Sequence, residues 1–470
     1  MYDATLSIDL GASYTKIAYR KACAPKQTGP FEQEARILMV DNSPLIPSLA
    51  VRTRNASKPW VFGREAANLN PDRGMEVFQN WKADLFRPRN DKDSAAAVMV
   101  AGKFFEWLRT KLEAARIDLK KCETRVAMPA FHSSAEKAVF IARCLDLSGW
   151  DDPSLILKVT EPHANTIGLF SRGKNAGSRN GAGELLLNYG RMFGQGNVYV
   201  QASREFVLHG TRGNLVTVLV VDIGAFTTDI AALTFDVTSP GNEMGDGLSA
   251  IRQEESYELG VINELDRPLF DALAQRHGFT WSDVSFNDRE LLKRALYNGE
   301  PYFLLTRSDG KNVSLELGGP EDTELVTAHA STFAAAVWEK VMAFVETEKP
   351  ARVFLTGGGS LIRPVAAALG TSLSRRQVTL GVVDRGESAG GATEWRSWAQ
   401  TGEGLQRLAT ALGGASVILQ AGSALRQGRA EILRPRPPLL VAADAGFKTC
   451  RCQGSNKDCC FCGGRGCAKG

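Results

Sequence analysis

An eleven-residue pattern occurs twice and governs what this chain can fold into. Ile8–Ala18 reads IDLGASYTKIA and Val221–Ala231 reads VDIGAFTTDIA; aligned without a gap, they share Asp, Gly, Ala, Thr, Ile and Ala. Each is an apolar run, an Asp-x-Gly turn and a second alternating run, the signature of a strand, a tight turn and a returning strand. The second copy follows LVTVLVV (Leu215–Val221), a continuous apolar stretch of the buried-strand type. Two such hairpins predict a duplicated α/β architecture with two similar lobes facing a shared cleft. A third strand, ARVFLTGGG (Ala351–Gly359), runs into a glycine turn and then the helix IRPVAAALG. Free N–H groups at a helix start, with glycine allowing close backbone approach, suit a nucleotide phosphate.

The chain of 470 residues is too long for a single core and predicts several domains or lobes. Helical spacing marks Phe104–Ala115, Ala135–Leu147 and Thr332–Glu346. Gly173–Gly213, rich in Gly, Asn and Arg, reads as an insertion, and Gly402–Arg426 as a closing helix pair. RPRPPLL (Arg434–Leu440) reads as an extended linker. The expected division is a first lobe over 1–214 with its insertion at 173–213, and a second lobe over 215–401. Closing helices over 402–430, a Pro-rich linker over 431–449 and a Cys-rich module over 450–470 complete it.

Hydrophobic residues make up 44% and charged residues 23%, which excludes wholesale disorder. No apolar run reaches the length of about eighteen residues that a membrane helix needs. The N-terminus, MYDATLSIDLG, lacks the basic region and apolar stretch of a signal peptide, so the expected compartment is the cytoplasm. A net charge of +4 is too small to argue for nucleic acid. From Arg426 onward nine Lys and Arg face three Asp and Glu, a surplus of six that leaves the rest near −2.

An Asp-x-Gly hairpin presents backbone N–H groups to an anion, and its aspartate can hold hydrated Mg²⁺ beside a phosphate. One copy alone is as compatible with an ordinary glycine turn. The matched pair followed by LTGGGS is far more specific, and at this point the sequence resembles a family. The ordered set is similar to the actin, hexokinase and DnaK-type chaperone ATPase superfamily, most of all to the nucleotide-binding domain of DnaK-type chaperones. RVAMPAFHSSAEKAVFIARCLDLSGW (Arg125–Trp150), KVTEPHANTIGL (Lys158–Leu169), LIPSLAV (Leu45–Val51), FGREAANL (Phe62–Leu69) and RELLKRAL (Arg289–Leu296) extend the likeness. It spans about residues 5 to 425 and is faint across the insertion and between Pro301 and Ala330.

The resemblance implies a two-lobed actin-like ATPase fold that binds ATP with Mg²⁺. Asp9 and Asp222 would hold the Mg²⁺ shell, and Gly11, Ser13, Tyr14, Gly224 and Thr227 would contact phosphates. Lys82, in FQNWKADLF, stands where the family keeps a lysine that orients the attacking water; without the family it reads as a surface lysine. Glu161 and Asp229 would complete the acidic shell. Glu290, Lys293 and Arg294 would face the adenosine, and Gly357, Gly358 and Gly359 would let it approach the backbone.

Three departures from the family pattern imply slow hydrolysis. Ala12 stands in place of a threonine, Phe226 in place of a glycine where it would crowd the phosphate loop, and Leu361 in place of an arginine. The chain also stops forty-five residues after Leu425, so a chaperone-like switch without a peptide-binding domain is expected, acting with a cochaperone or complex subunit. An actin-like filament protein, a nucleic-acid-binding adaptor using the tail and a small-molecule kinase of the same fold stand as alternatives.

Of nine cysteines, Cys23, Cys122 and Cys144 are scattered and read as small buried groups, while six lie in the last twenty-one residues. CRCQGSNKDCCFCGGRGC offers two chelating pairs, Cys450 with Cys452 and Cys459 with Cys462, suited to tetrahedral Zn²⁺; Cys460 and Cys467 could substitute. The segment resembles half of the zinc centre of DnaJ-type cochaperones. It is too small for a hydrophobic core, so metal would supply its folding free energy, roughly 10–16 kcal/mol in small zinc peptides.

Overall fold

The computed structural model describes residues 4–21, 35–54, 57, 59–69, 75–86, 91–130, 157–170, 215–236, 248–280, 284–306, 311–381 and 405–415. The helix read over Ala135–Leu147, the insertion at 173–213, the linker and the Cys-rich module lie outside the described residues.

The first sheet starts with β1 (Ala4–Asp9), buried throughout, which folds back antiparallel onto β2 (Tyr14–Lys21). Their register sets Asp9 opposite Lys16. β3 (Arg36–Ile37) and β4 (Ile46–Pro47) both pair with β2. A small separate sheet follows, with β5 (Ala50–Arg52) central between β6 (Trp60–Phe62) and, after α1 (Gly63–Ala67), β7 (Glu76–Phe78). Next come α2 (Trp81–Phe86) and α3 (Asp91–Ala114), whose Val100, Phe104, Phe105, Leu108 and Leu112 are buried in one apolar cluster. The helix begins thirteen residues before the spacing predicted, because SAAAV (Ser94–Val98) carries high helix propensity without a polar contrast to mark a face. β8 (Cys122–Met128) returns parallel to β1, β9 (Leu157–Thr160) lies parallel to β8, and α4 (Glu161–Phe170) starts at once. Cys122 is buried, as expected of it.

The second sheet repeats the plan. β10 (Leu215–Ile223) pairs antiparallel with β11 (Thr228–Asp236), which pairs antiparallel with β12 (Leu248–Tyr257). A π-turn over Ile262–Asp266 leads into α5 (Arg267–His277), and α6 (Phe286–Asn298) follows with Ser285 as its cap. The hairpin β13 (Tyr302–Thr306) and β14 (Asn312–Glu316) precedes α7 (Pro320–Glu348). α7 begins well ahead of the Thr332 that periodicity suggested, with Pro320 and two acidic residues forming its first turn. β15 (Arg352–Thr356) lies parallel to β10, a glycine turn leads to α8 (Arg363–Arg375), and β16 (Thr379–Gly381) lies parallel to β15. α9 (Leu405–Gly414) is the last described element; the second closing helix lies outside the described residues.

The sheet orders are β3-β2-β1-β8-β9 and β12-β11-β10-β15-β16, with matching strand directions. The chain is therefore mixed α/β with one sheet topology used twice. The helix after each sheet also crosses to the other one. α4 packs on β10, β11 and β12, whereas α9 packs on β1, β2 and β8. α9 is anchored there by cations, since Arg125 donates to the Gly414 carbonyl at 2.9 Å and Arg20 to that of Ala415 at 2.8 Å. Both arginines meet carbonyls that a helix end leaves unpaired. Among the described residues no helix is long and apolar enough to cross a membrane.

Candidate functional site

Parallel strands deliver their carboxyl ends to one place, where α/β folds bind ligands. Asp9 ends β1, Glu161 follows β9, Asp222 lies one residue from the end of β10, and Thr356 ends β15 with Gly357 next. Asp229, opposite Asp222 in the second hairpin, joins them. Lys16 reaches Asp9 Oδ2 at 2.7 Å, and Lys82 reaches Glu161 Oε1 at 2.5 Å. Lys82 is only 3% exposed, so the reading of it as a surface lysine is corrected. Its neighbours Trp81, Leu85 and Phe86 are buried in the same short helix and pull it inward.

Four carboxylates thus face two lysines in a buried cluster, and burial together with the neighbouring charges shifts Asp222, Asp229, Glu161 and Lys82. Burial raises Asp222 to about 7, with Lys16 opposing and Asp9 and Glu161 adding to the rise. Burial, then Glu161 and Asp222, lift Asp229 well above the carboxylate range, although Ser256 and Thr227 both donate to it. Glu161 is pushed up by burial, with Lys82 pulling it back. Burial alone would lower the Lys82 ammonium, but Glu161, Asp9 and Asp229 outweigh it and raise the group. Among the described residues no three His, Cys, Asp or Glu converge closely enough to ligate an ion together. Mg²⁺ does not require that, since it keeps its waters and takes one or two carboxylates beside a phosphate. The donor set, two carboxylates in a buried cluster with more acids than lysines, fits such an ion.

The three glycines after β15 have different roles. Gly357 holds φ at 79°, and a Cβ there would collide with Asp222 Oδ1 and the Ile223 carbonyl. Gly359 packs against Ile223 and Val261. Gly358 alone is exposed, with open space around it. In the first hairpin, Ser48 braces the turn, its Oγ donating to the Gly11 carbonyl at 2.7 Å and its N–H to that of Ser13 at 2.8 Å. In the second, the Gly224 N–H donates to the Thr227 carbonyl at 2.8 Å. Phe226 departs from expectation: it is buried in the apolar cluster of the first sheet, which also holds Ala12, and does not stand in the turn as a free ring. The residue that breaks the glycine pattern fills the core instead.

A second polar group lies beside Tyr14. Its hydroxyl donates to Glu290 Oε2 at 3.3 Å, and Arg407 lies over its ring at 5.2 Å. Lys293 bridges Glu290 and Asp266, both at 2.8 Å. Burial would raise Glu290, but Lys293 and Arg407 bring it below its ordinary value. Arg294 is exposed on the same helix, and its charge acts on Tyr14. Cys450, Cys452, Cys459 and Cys462 lie outside the described residues.

Sequence reasoning missed Lys16, Asn165, Thr356, Ser256, Arg407 and Thr410. Lys16 had a signal, because a hairpin closing at Gly11 pairs it with Asp9. Asn165 had a weaker one, lying four residues after Glu161 on one helix face. Thr410 had none.

His163, on α4, is lowered to about 4 by burial. A depressed histidine leaves stability intact above its ordinary value near 6.5 and withdraws it as pH falls toward 4. His163→Gln is expected to lose up to ~3 kcal/mol less than the parent chain over that window. Urea unfolding at pH 7 and pH 4.5 checks this, and equal acid losses would refute it.

No protein-family model matches the chain, and a search of curated proteins finds no match.

Proposed function

We propose that this chain is a two-lobed, actin-like nucleotide-binding protein that takes up Mg-ATP between its two sheets and hydrolyses it slowly. It would then pass its nucleotide state to a protein partner. One observation supports this above all: two hairpins of one sequence pattern bring Asp9 and Asp222 into a single buried cluster with Lys82 and Glu161. Such an arrangement has no use in packing, where four buried carboxylates around two lysines are a cost.

Asp9 and Asp222 would hold Mg²⁺, which when bound offsets phosphate charge. Lys82 keeps a cation in the cluster, suited to charge that spreads over a transferring phosphoryl group. Glu161, fixed by Lys82, and Asp229, fixed by Ser256 and Thr227, hold acceptors for an attacking water. Gly11, Ser13, Tyr14, Gly224 and Thr227 belong to the turns that would meet phosphates, and Glu290, Lys293 and Arg294 to the adenosine side. Slow turnover follows from Ala12, which carries no hydroxyl. Nucleotide contacts made differently by the two lobes would set which arrangement is populated.

Calorimetry of the full chain with ATP and Mg²⁺ is expected to show binding that weakens about tenfold or more in Asp222→Ala. No binding by the intact chain, or unchanged binding by the variant, overturns the reading. The terminal thiolates, on their spacing, are proposed to hold one Zn²⁺ and to form a surface for the partner. Elemental analysis should find one zinc per chain, and removal of residues 441–470 should leave ATP binding intact while abolishing partner association. Zinc-free protein, or partners fully recovered by the shortened chain, counts against each half in turn.

A further inference from the structure

Asn165 is 1% exposed and sits at the meeting point of four elements. Its Nδ2 donates to Asp222 Oδ2 at 2.6 Å and to Thr410 Oγ1 at 3.0 Å. Its Oδ1 accepts from Thr356 Oγ1 at 2.9 Å, and the Thr410 hydroxyl donates to Asp222 Oδ2 at 3.2 Å. In this network the NH₂ faces Asp222 and Thr410, and the carbonyl faces the Thr356 hydroxyl.

Both of these donors fall on the same oxygen of Asp222. Oδ1 lies instead beside Gly357, where any side chain would collide with it. Asp9 is held in the same one-sided way, with Lys16 on its Oδ2. On Asp222 the two donors fill both lone pairs of Oδ2, so Oδ1 is the oxygen left to a cation. Mg²⁺ accepts that, being small, octahedral and served by single oxygens and water. Ca²⁺ takes six to eight oxygens in flexible geometry and uses carboxylates bidentately.

We infer that Asn165 is a positioning residue for cation choice: it occupies Asp222 Oδ2 and so favours Mg²⁺ over Ca²⁺ as the ion that accompanies the nucleotide. The inference rests on the nucleotide reading above and deepens it. Thr410 assists from α9, and Thr356 fixes the amide.

The test compares ATP affinity in Mg²⁺ with that in Ca²⁺, by calorimetry, for the full chain and two variants, with apo thermal unfolding alongside. The parent chain should prefer Mg-ATP, and Asn165→Ala should narrow the preference about tenfold by weakening the Mg²⁺ complex and strengthening the Ca²⁺ one. Thr410→Val, which removes the longer bond to Asp222 Oδ2 and the acceptor of the second Asn165 N–H but leaves the 2.6 Å bond from Asn165, should shift it in the same direction by less; it also carries the test if Asn165→Ala does not fold. A bracing role alone would lower the unfolding temperature and weaken both complexes equally. Equal weakening, or an unchanged Mg²⁺-to-Ca²⁺ ratio in a variant that still binds ATP, overturns the inference and leaves the nucleotide reading standing. A parent chain that binds ATP with neither ion overturns the nucleotide reading itself, and this inference with it.

Discussion

Lys82→Ala is expected to cost roughly 3–5 kcal/mol of stability and to abolish ATP hydrolysis. Lys82 and Glu161 form a buried ion pair at 2.5 Å, and removing one partner leaves the other charge without compensation. The charge left behind is a carboxylate among three more, and Glu161, Asp222 and Asp229 are already lifted by burial and mutual repulsion. The sign with pH follows. A carboxyl raised in the folded state is neutral and harmless at low pH, and it withdraws stability as pH rises through its folded value. The destabilisation by Lys82→Ala should therefore grow between pH 5 and pH 8. Urea unfolding at both values measures it. Lys82→Met combined with Glu161→Gln should regain most of the stability, because a neutral pair needs no compensation, yet remain inactive. A singly substituted chain with normal stability and normal turnover would remove Lys82 from the site.

The second large effect concerns the crossing of α4 and α9. A Cβ on Gly168 would overlap the Ala409 carbonyl, and one on Gly413 would overlap the Ala164 carbonyl. Even one methyl must push the two helices apart, so Gly413→Ala is expected to cost about 3 kcal/mol, the upper end for overpacking. Gly168→Leu should prevent folding. Asn165 and Thr410 lie on these same helices, so Gly413→Ala should also separate them and weaken Mg-ATP binding. Denaturant titration of Gly413→Ala gives the first quantity and calorimetry the second. A variant within 0.5 kcal/mol of the parent, about the spread of neutral surface substitutions, would mean that the helices are not in this contact.

Several parts of this arrangement were legible without coordinates. The paired eleven-residue patterns became two antiparallel hairpins, each opening one of two sheets that share a strand order. A hairpin's register follows from its turn, so Asp9 opposite Lys16 and Asp222 opposite Asp229 are local consequences. The strand before LTGGGS and the helix carrying RELLKRAL were equally local.

Other parts depended on partners far away in the chain. Lys82 and Glu161 are 79 positions apart, and Asn165 and Thr410 are 245 apart. Side-chain periodicity of 2 or 3.6 tells which face of an element is buried, not what it is buried against. The same limit explains Phe226, which looked like an obstruction in a phosphate turn and is a core residue of the opposite sheet. By itself the sequence determined the hairpins, the strand ends and the acidic residues they carry, because backbone pairing and turn chemistry act over a few residues. Only the tertiary structure decided which lysine meets which carboxylate, which oxygen of Asp222 is held and how closely α4 and α9 approach. Those choices are made when helices exchange sheets and bury charges together, a long-range packing outcome that no short window of residues encodes.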